Sequence, residues 1–345
     1  MKKITPILLL IGLAALSAGC AQQEVLQVKD IGSKHVGGRA FVIEGMAEKE
    51  ITFSPGSPPM KLNPNGEFAV EQMYLQYVRL AAPKAKYPML LMHGGGLTGV
   101  TWETKPDGQA GWQAYFLRAG HDVMVSDAVE RGRASWARSP EVFKGEPVFR
   151  TKKEGWELFR FGPAGSWNAN PSQSKSYPDT QFPVAHFEQF MKQGVPRWLT
   201  TDVAVQKAYN TLAQSECPCV IVTHSQGGNF AFNMALAYPE KIKAVVALEP
   251  SGFPDPDKND LSRLRGIPHL FVWGDHIADH ALWSRIRSGP EKYRNALVKV
   301  GVKAETLDLP ARGMKGNSHM LMMDRNSDEI AALVQQWLSA NGLMK

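Results

Sequence analysis

Residues 219–230 read CVIVTHSQGGNF, and the fold is decided by how this stretch divides. Val220, Ile221, Val222 and Thr223 are apolar or β-branched and read as a short buried strand, while Asn229 to Tyr238 reads as a helix. Only the five residues from His224 to Gly228 remain to make the turn. A turn that tight exposes the side chain at its apex, Ser225, and Gly227 lets the helix pass close to the strand. Such a strained turn lifts a hydroxyl out of a sheet and leaves a backbone N–H beside it, which is the geometry of a nucleophile elbow.

Upstream, an alternating strand over residues 73–81 precedes a fully apolar run over 88–92, which leads straight into HGGGLTG at 93–99. Three consecutive glycines let backbone N–H groups face a ligand with no Cβ in the way. Alone this is a glycine-rich turn; followed by an elbow it is where a second oxyanion donor is found in lipases and esterases. After a helix with Trp112 and Phe116 and a strand at 121–126, the charged turn DAVERGR at 127–133 places Arg131 in a loop-bracing ion pair.

Between 134 and 199 the regular alternation stops. Aromatic residues such as Trp156, Phe159, Phe161, Phe190 and Trp198 are scattered among Pro, Gly, Ser and Asn. A structureless stretch of that size is improbable in a compact domain, so an inserted lid with short helices is expected. Most of its aromatics fill its own core and some face the substrate, which argues for an apolar or aromatic one. Regularity returns with a helix carrying Val205, Ala208, Tyr209 and Leu212 on one face. Strands at 244–248, 269–273 and 305–309 follow, then a last helix for which Asn326 and Glu329 read as a capping box. This alternation implies a mostly parallel sheet with helices on both faces.

A serine hydroxyl needs a base, and the base needs a partner that holds its tautomer. In hydrolases of this order the base comes last, between the final strand and the final helix, and His319 is the histidine there. His224 leaves the turn in another direction, His93 opens the glycine loop, and His276 and His280 come one strand too early. For the acid, spacing leaves two choices open: Asp275, with Asp279, after strand 269–273, and Glu249 at the end of the strand before it.

The first residues carry Lys2 and Lys3, an apolar segment over 4–16 and SAGC at 17–20. This is the layout of an export signal, and small residues before a cysteine resemble the lipobox of bacterial lipoproteins, with Cys20 acylated. Leu16 sits one position earlier than the usual leucine, so plain signal cleavage is the rival. The protein is expected in the bacterial cell envelope, as an outer-membrane lipoprotein held by its lipid anchor or in the periplasm. A net charge of +6 spread over 345 residues, with no basic run, gives no footing for nucleic acid. Cys217 and Cys219 read as small packing residues rather than a bridge across one proline, and no second Cys or His pair at ligand spacing supports zinc.

HGGGLTG at 93–99, THSQGG at 223–228, LEP at 248–250 and GNSHM at 316–320 together resemble a small branch of bacterial α/β-hydrolase esterases. That branch places its acid, a glutamate, after the sixth strand, and some members carry two adjacent cysteines in the oxyanion loop. The resemblance spans nearly the whole mature chain, including GGR at 37–39. It implies Ser225 as nucleophile, His319 as base and Glu249 as acid, with the N–H groups of Gln226 and Gly95 as oxyanion hole. Gly95 and Gly96 stand where the cysteines would be, and Thr223 replaces the first glycine of the general GxSxG pattern. The expected layout is a signal at 1–19, a tether and edge strands at 20–68, a core at 69–133 and 200–345, and a lid at 134–199. The expected activity is that of a serine carboxylesterase needing no metal or organic cofactor, its oligomeric state open. An amidase, lactonase or C–C hydrolase on the same triad, or a non-catalytic surface lipoprotein, is the alternative. Dehalogenases and epoxide hydrolases of this fold need an aspartate where Ser225 stands.

Overall fold

The structure, a computed structural model, describes residues 25–345 apart from Ser135 and Ala137. The signal at 1–19 and the Cys20 lipidation site lie outside the described residues. Eight strands form the main sheet: β1 (Val28–Ile43), β2 (Gly66–Leu80), β3 (Met89–Met92), β4 (Val123–Asp127), β5 (Cys219–His224), β6 (Ile242–Leu248), β7 (His269–Trp273) and β8 (Ala304–Asp308). Their order is β1-β2-β4-β3-β5-β6-β7-β8. β2 runs antiparallel to both β1 and β4, and the remaining pairs are parallel. The expected α/β arrangement is what the chain forms. β1 pairs with β2 along its whole length, from Val28 to Ile43.

The helices are α1 (Trp112–Arg118), α2 (Lys152–Leu158), α3 (Phe187–Met191), α4 (Asp202–Glu216), α5 (Gly227–Ala237), α6 (Ala281–Lys299) and α7 (Ser327–Ala340). Alternate strand residues point to opposite faces, and two hydrophobic clusters follow that alternation. Ile221, Val245 and Ala247 pack with Tyr209, Phe230 and Tyr293 from α4, α5 and α6. Val220, Val222 and Val246 pack with Trp112 of α1 and Ile330 and Val334 of α7. Central strands covered on both faces need apolar residues at every position, which is why β3 and β5 are buried throughout.

Two local expectations are corrected. Asn326 does not cap α7 with its side chain; its Oδ1 instead accepts from Asn317 Nδ2 at 2.7 Å, so it braces the loop carrying His319. Cys217 and Cys219 are bonded to each other, because the chain turns at Pro218 and brings their Cα atoms to 4.6 Å, within bridging range.

Between β4 and α4 the chain forms α2, α3 and single 3-10 turns around an aromatic core in which Phe161 and Phe182 stack at 3.7 Å. Backbone bonds tie this segment to the loops at the C-terminal ends of the strands. Val195 N–H donates to Gly96 O at 3.0 Å and Gln181 N–H to Gly316 O at 2.8 Å. It therefore closes over the edge of the sheet where Ser225 emerges.

Candidate active site

Ser225 and Gln226 alone lie between the end of β5 and the start of α5, and Ser225 has φ +51. A left-handed backbone costs a non-glycine residue about 1 kcal/mol or more, so the fold must hold it. Ser225 N–H donates to Leu248 O at 3.0 Å, and its carbonyl accepts from Gly228 N at 3.0 Å and Ser251 N at 3.1 Å. Gly227 is obligatory here: a Cβ would stand 2.6 Å from Thr223 Oγ1 and 2.7 Å from His93 O.

The triple-glycine loop lies against this turn. A Cβ on Gly94 would be 3.1 Å from Ser225 Cβ, and one on Gly95 2.9 Å from Gln226 Oε1. Among the described residues, the backbone N–H groups of Gln226 and Gly95 donate to no protein acceptor. The loop is held from behind. His93 donates through Nδ1 to Gly94 O at 2.8 Å and accepts at Nε2 from Ala128 N at 3.0 Å. Burial and the Arg131 charge push its pKa down to about 4, so the ring stays neutral. Asp127 takes Gly99 N–H at 2.6 Å and Arg133 N–H at 2.8 Å. Arg131 pairs with Glu130 at 3.2 Å, both buried, as a brace of the loop after β4.

The two carboxylates left open by spacing have different positions. Glu249, at φ +44 just past β6, faces His319: Nδ1 and Glu249 Oε2 are 2.7 Å apart and both residues are buried. Asp275 spends its oxygens on His276 N at 2.8 Å and Gly316 N at 2.9 Å, so it steadies the histidine's loop and does not face the ring. Asp279 is exposed and bonded to His276. His224 donates through Nε2 to His319 O at 3.0 Å, with its ring 4.3 Å from that of His319. His280 starts α6.

One partner was not read from the sequence. Arg160, fully buried and at φ +59, donates through Nη2 to Glu249 Oε1 at 2.5 Å, where Gly274 N–H also donates at 2.8 Å. Its Nε reaches Asp275 O at 2.8 Å, and its guanidinium lies 4.9 Å over Trp283. Trp283 packs 4.1 Å from the His319 ring and donates to Leu158 O at 2.5 Å, while His319 N–H donates to Phe159 O at 2.9 Å. Leu158, Phe159 and Arg160 thus grip, in succession, the tryptophan behind the histidine, the histidine and the glutamate. The signal in the sequence was an arginine inside the aromatic run Phe159 to Phe161. Asp324 was missed as well; it is buried beneath the same loop and accepts from Asn317 Nδ2, Ser318 N and Ser318 Oγ at 3.0, 2.9 and 2.6 Å.

The electrostatics follow from this packing. Burial opposes ionisation of Glu249, but the Arg160 charge and the His319 hydrogen bond outweigh it and hold the carboxyl at about 2. Burial dominates at His319 and, aided by Arg160 and Arg150, outweighs the pull of Glu249 and lowers it to about 4. At neutral pH the imidazole is therefore uncharged, its Nδ1–H is given to the carboxylate, and Nε2 is the nitrogen left to take a proton.

A solved structure described as that of a novel bacterial esterase is similar to this chain at 33% identity, with a TM-score of 0.78, covering 92% of this chain and 98% of that one. The chain belongs to the α/β-hydrolase superfamily. The family model described as alpha/beta hydrolase fold matches residues 218–290, which hold β5 with its elbow, β6 with Glu249, and β7. A probable secreted lipase from a fungal species (strain ATCC 74256) is 27% identical over 338 residues, covering 79% of this chain and 87% of the relative. The α/β-hydrolase loops and the segment after β4 enclose a cleft beside the site. Gly96, Leu97, Phe159, Phe190 and Val195 line it, and it is partly open to solvent. Among the described residues no helix is long and apolar enough to cross a membrane.

Proposed function

We propose that this α/β hydrolase is an exported serine carboxylesterase acting on esters with an apolar or aromatic portion. The observation that carries the reading is the buried 2.7 Å bond between His319 and Glu249, next to a serine held at positive φ in the elbow. Ser225 Oγ attacks the ester carbonyl as His319 Nε2 takes its proton, and Glu249 stabilises the imidazolium that forms. The N–H groups of Gln226 and Gly95 receive the oxyanion, an arrangement supported by their lack of protein acceptors and by the glycines that bring the two strips together. His319 returns the proton to the departing alcohol; water, activated by the same imidazole, then cleaves the acyl-enzyme. No step calls for a metal or organic cofactor.

Residues 134–199 act in this reading as a lid whose Phe159 and Phe190 give the cleft its apolar wall. Export rests on the charged and apolar pattern of the first residues and on the fungal relative's description as secreted. Acylation of Cys20 would anchor the enzyme to the envelope membrane, and the mass of the mature N-terminal peptide decides between a diacylglyceryl cysteine and plain cleavage. The test of the activity is labelling by a fluorophosphonate probe together with hydrolysis of 4-nitrophenyl esters. Wild type gives both and Ser225→Ala gives neither; labelling that persists in Ser225→Ala overturns the assignment.

A further inference from the structure

The cleft beside Ser225 is not uniformly apolar. Three strips of chain meet there through backbone bonds. Val195 N–H donates to Gly96 O at 3.0 Å; Arg197 N–H donates to Val148 O at 3.0 Å and Val148 N–H to Arg197 O at 2.7 Å. The oxyanion loop, residues 195–197 and residues 148–150 are thereby fixed side by side, with Arg150 lining the cleft and Arg197 over the oxyanion loop.

Arg150 lines the cleft, its guanidinium 5.3 Å from the Phe159 ring. Among the described residues it has no hydrogen-bonded or ion-paired carboxylate. Arg197 hangs over the oxyanion loop, its Nη1 3.5 Å from where a Cβ on Gly95 would lie. Its contact with Asp202 is long, 3.5 Å, and the same Asp202 oxygen already takes Gln226 Nε2 at 3.0 Å. Arg197 Nε is buried with no partner among the described residues. Of the other nearby acids, Glu130 pairs with Arg131 and accepts from Thr201 at 2.9 Å, and Glu154 caps α2 through Thr151; they reach Arg197 and Arg150 through their charge and not through a hydrogen bond. Among the described residues Arg197 is therefore only loosely engaged by Asp202, and Arg150 is hydrogen-bonded to no acid. Burial is the main cause that lowers the proton affinity of Arg150; the Glu154 charge raises it and the Arg197 charge lowers it.

Incompletely neutralised cations beside an apolar wall, next to the point of attack, fit a ligand that is apolar in the middle and anionic at one end. We propose that the site is built for esters that carry a carboxylate on one arm, such as monoesters of dicarboxylic acids, the carboxylate being held between Arg150 and Arg197. This rests on the esterase reading and adds the substrate class to it. Leu97, Phe190 and Val195 receive the methylenes between the scissile carbonyl and the anion.

The test compares kcat/KM for mono-4-nitrophenyl glutarate with that for 4-nitrophenyl pentanoate, and, for a carboxylate on the alcohol arm, 4-carboxybutyl butyrate with pentyl butyrate by pH-stat. One charge-assisted pairing corresponds to about a tenfold preference or more for the carboxylated member of at least one pair. The preference shrinks in 0.5 M NaCl, falls toward unity in Arg150→Gln/Arg197→Gln and turns against the anion in Arg150→Glu. Using the ratio removes any general change in rate, since the Arg150 charge also acts on His319. Ser225-dependent hydrolysis with no preference in either pair, or a preference that survives both arginine changes, overturns the proposal and leaves the esterase reading standing. No hydrolysis of any of the four esters overturns both.

Discussion

Two histidine–carboxylate clusters stand side by side beyond β6 and β7, and they are made of the same chemical parts. In one, His319 faces Glu249 at 2.7 Å with both side chains fully buried. In the other, His276 lies stacked on Tyr177 at 3.6 Å, with Asp279 and Asp179 each 2.9 Å from its ring nitrogens and both acids exposed. Arg160 touches both, giving Nη2 to Glu249 and Nε to the Asp275 carbonyl. Burial is what separates them. The acids of the exposed cluster face water that competes for their contacts, whereas the buried one is shielded from it and its charge is set by Arg160, with a smaller contribution from Arg150.

The sharpest way to break this comparison is to delete one acid from each side. Glu249→Ala is expected to lower kcat/KM for a 4-nitrophenyl ester by about 10³-fold or more, because the imidazole loses both orientation and the partner for its positive form. Asp275→Ala removes only bonds to His276 N and Gly316 N and should cost less than about tenfold. Steady-state kinetics on the two variants decide; equal losses would mean that the two clusters work as one.

Arg160 tests the same contrast from the link between them. Arg160→Met leaves Glu249 buried with a single remaining N–H donor from Gly274 besides His319. Breaking a buried pair costs about 3 kcal/mol, read as a lower midpoint in urea, and kcat should fall about 10- to 100-fold as the histidine loses its fixed partner. The pH profile separates this from mere loosening. Arg160 lowers the His319 pKa, so its removal makes the imidazolium less unfavourable and is expected to move the acid limb of kcat/KM to higher pH than in the wild type. The groups around that ring are Glu249, His224, Arg160 and Arg150, with Trp283 and Phe159 on its faces. An unmoved acid limb would show that Arg160 does not set the base.

The buried histidines also make the fold acid-sensitive. His93, His269 and His319 are each lowered to about 4 by burial, and His224 lies well below its usual value for the same reason. Between about 6.5 and 4 the unfolded chain binds protons that the folded chain refuses, so stability is complete above 6.5 and falls as pH drops toward 4. Glu249, held at about 2, extends the loss below 4.5. Asp324, raised to about 6 by burial, acts in the opposite sense: its contribution is complete below its unfolded value and lost as pH rises through 6. The lowered histidines, His121 among them, outnumber the raised acids Asp324 and Glu130, so a net loss of stability is expected between pH 7 and 4, to be checked by urea unfolding across that range.

How much of this was legible in the sequence depends on how far each feature reaches along the chain. The elbow was legible because strand, Ser225 and helix follow one another within a dozen residues, and the glycine loop because its three glycines are contiguous. Which carboxylate faces His319 was open by spacing, since Glu249 and Asp275 both follow buried strands; resemblance favoured Glu249, and the fold shows that it faces the ring. Arg160 was hidden because its partner lies 89 positions away and the run that holds it has no helical or strand period. The Cys217–Cys219 bond was misread because an extended strand would hold such a pair too far apart, whereas Pro218 turns the chain there. Asn326 has the residue type of a cap, and its side chain is drawn instead to Asn317 across the loop.

The smallest expected effect is the one that tests whether exposure alone separates the clusters. His276→Gln keeps a hydrogen-bonding side chain of similar reach and removes the ring that stacks on Tyr177. Its two partners are solvent-exposed, so water replaces most of what is lost, and surface pairs of this kind contribute about 0–1 kcal/mol. The φ of +55 at His276 persists in His276→Gln, because the Asp275 carboxylate still accepts the residue's N–H at 2.8 Å. Stability should therefore fall by less than about 1 kcal/mol and kcat/KM by less than about threefold, with the acid limb of the pH profile unmoved. A loss comparable with that of Glu249→Ala would place His276 in the chemistry and end the distinction between the buried cluster and the exposed one.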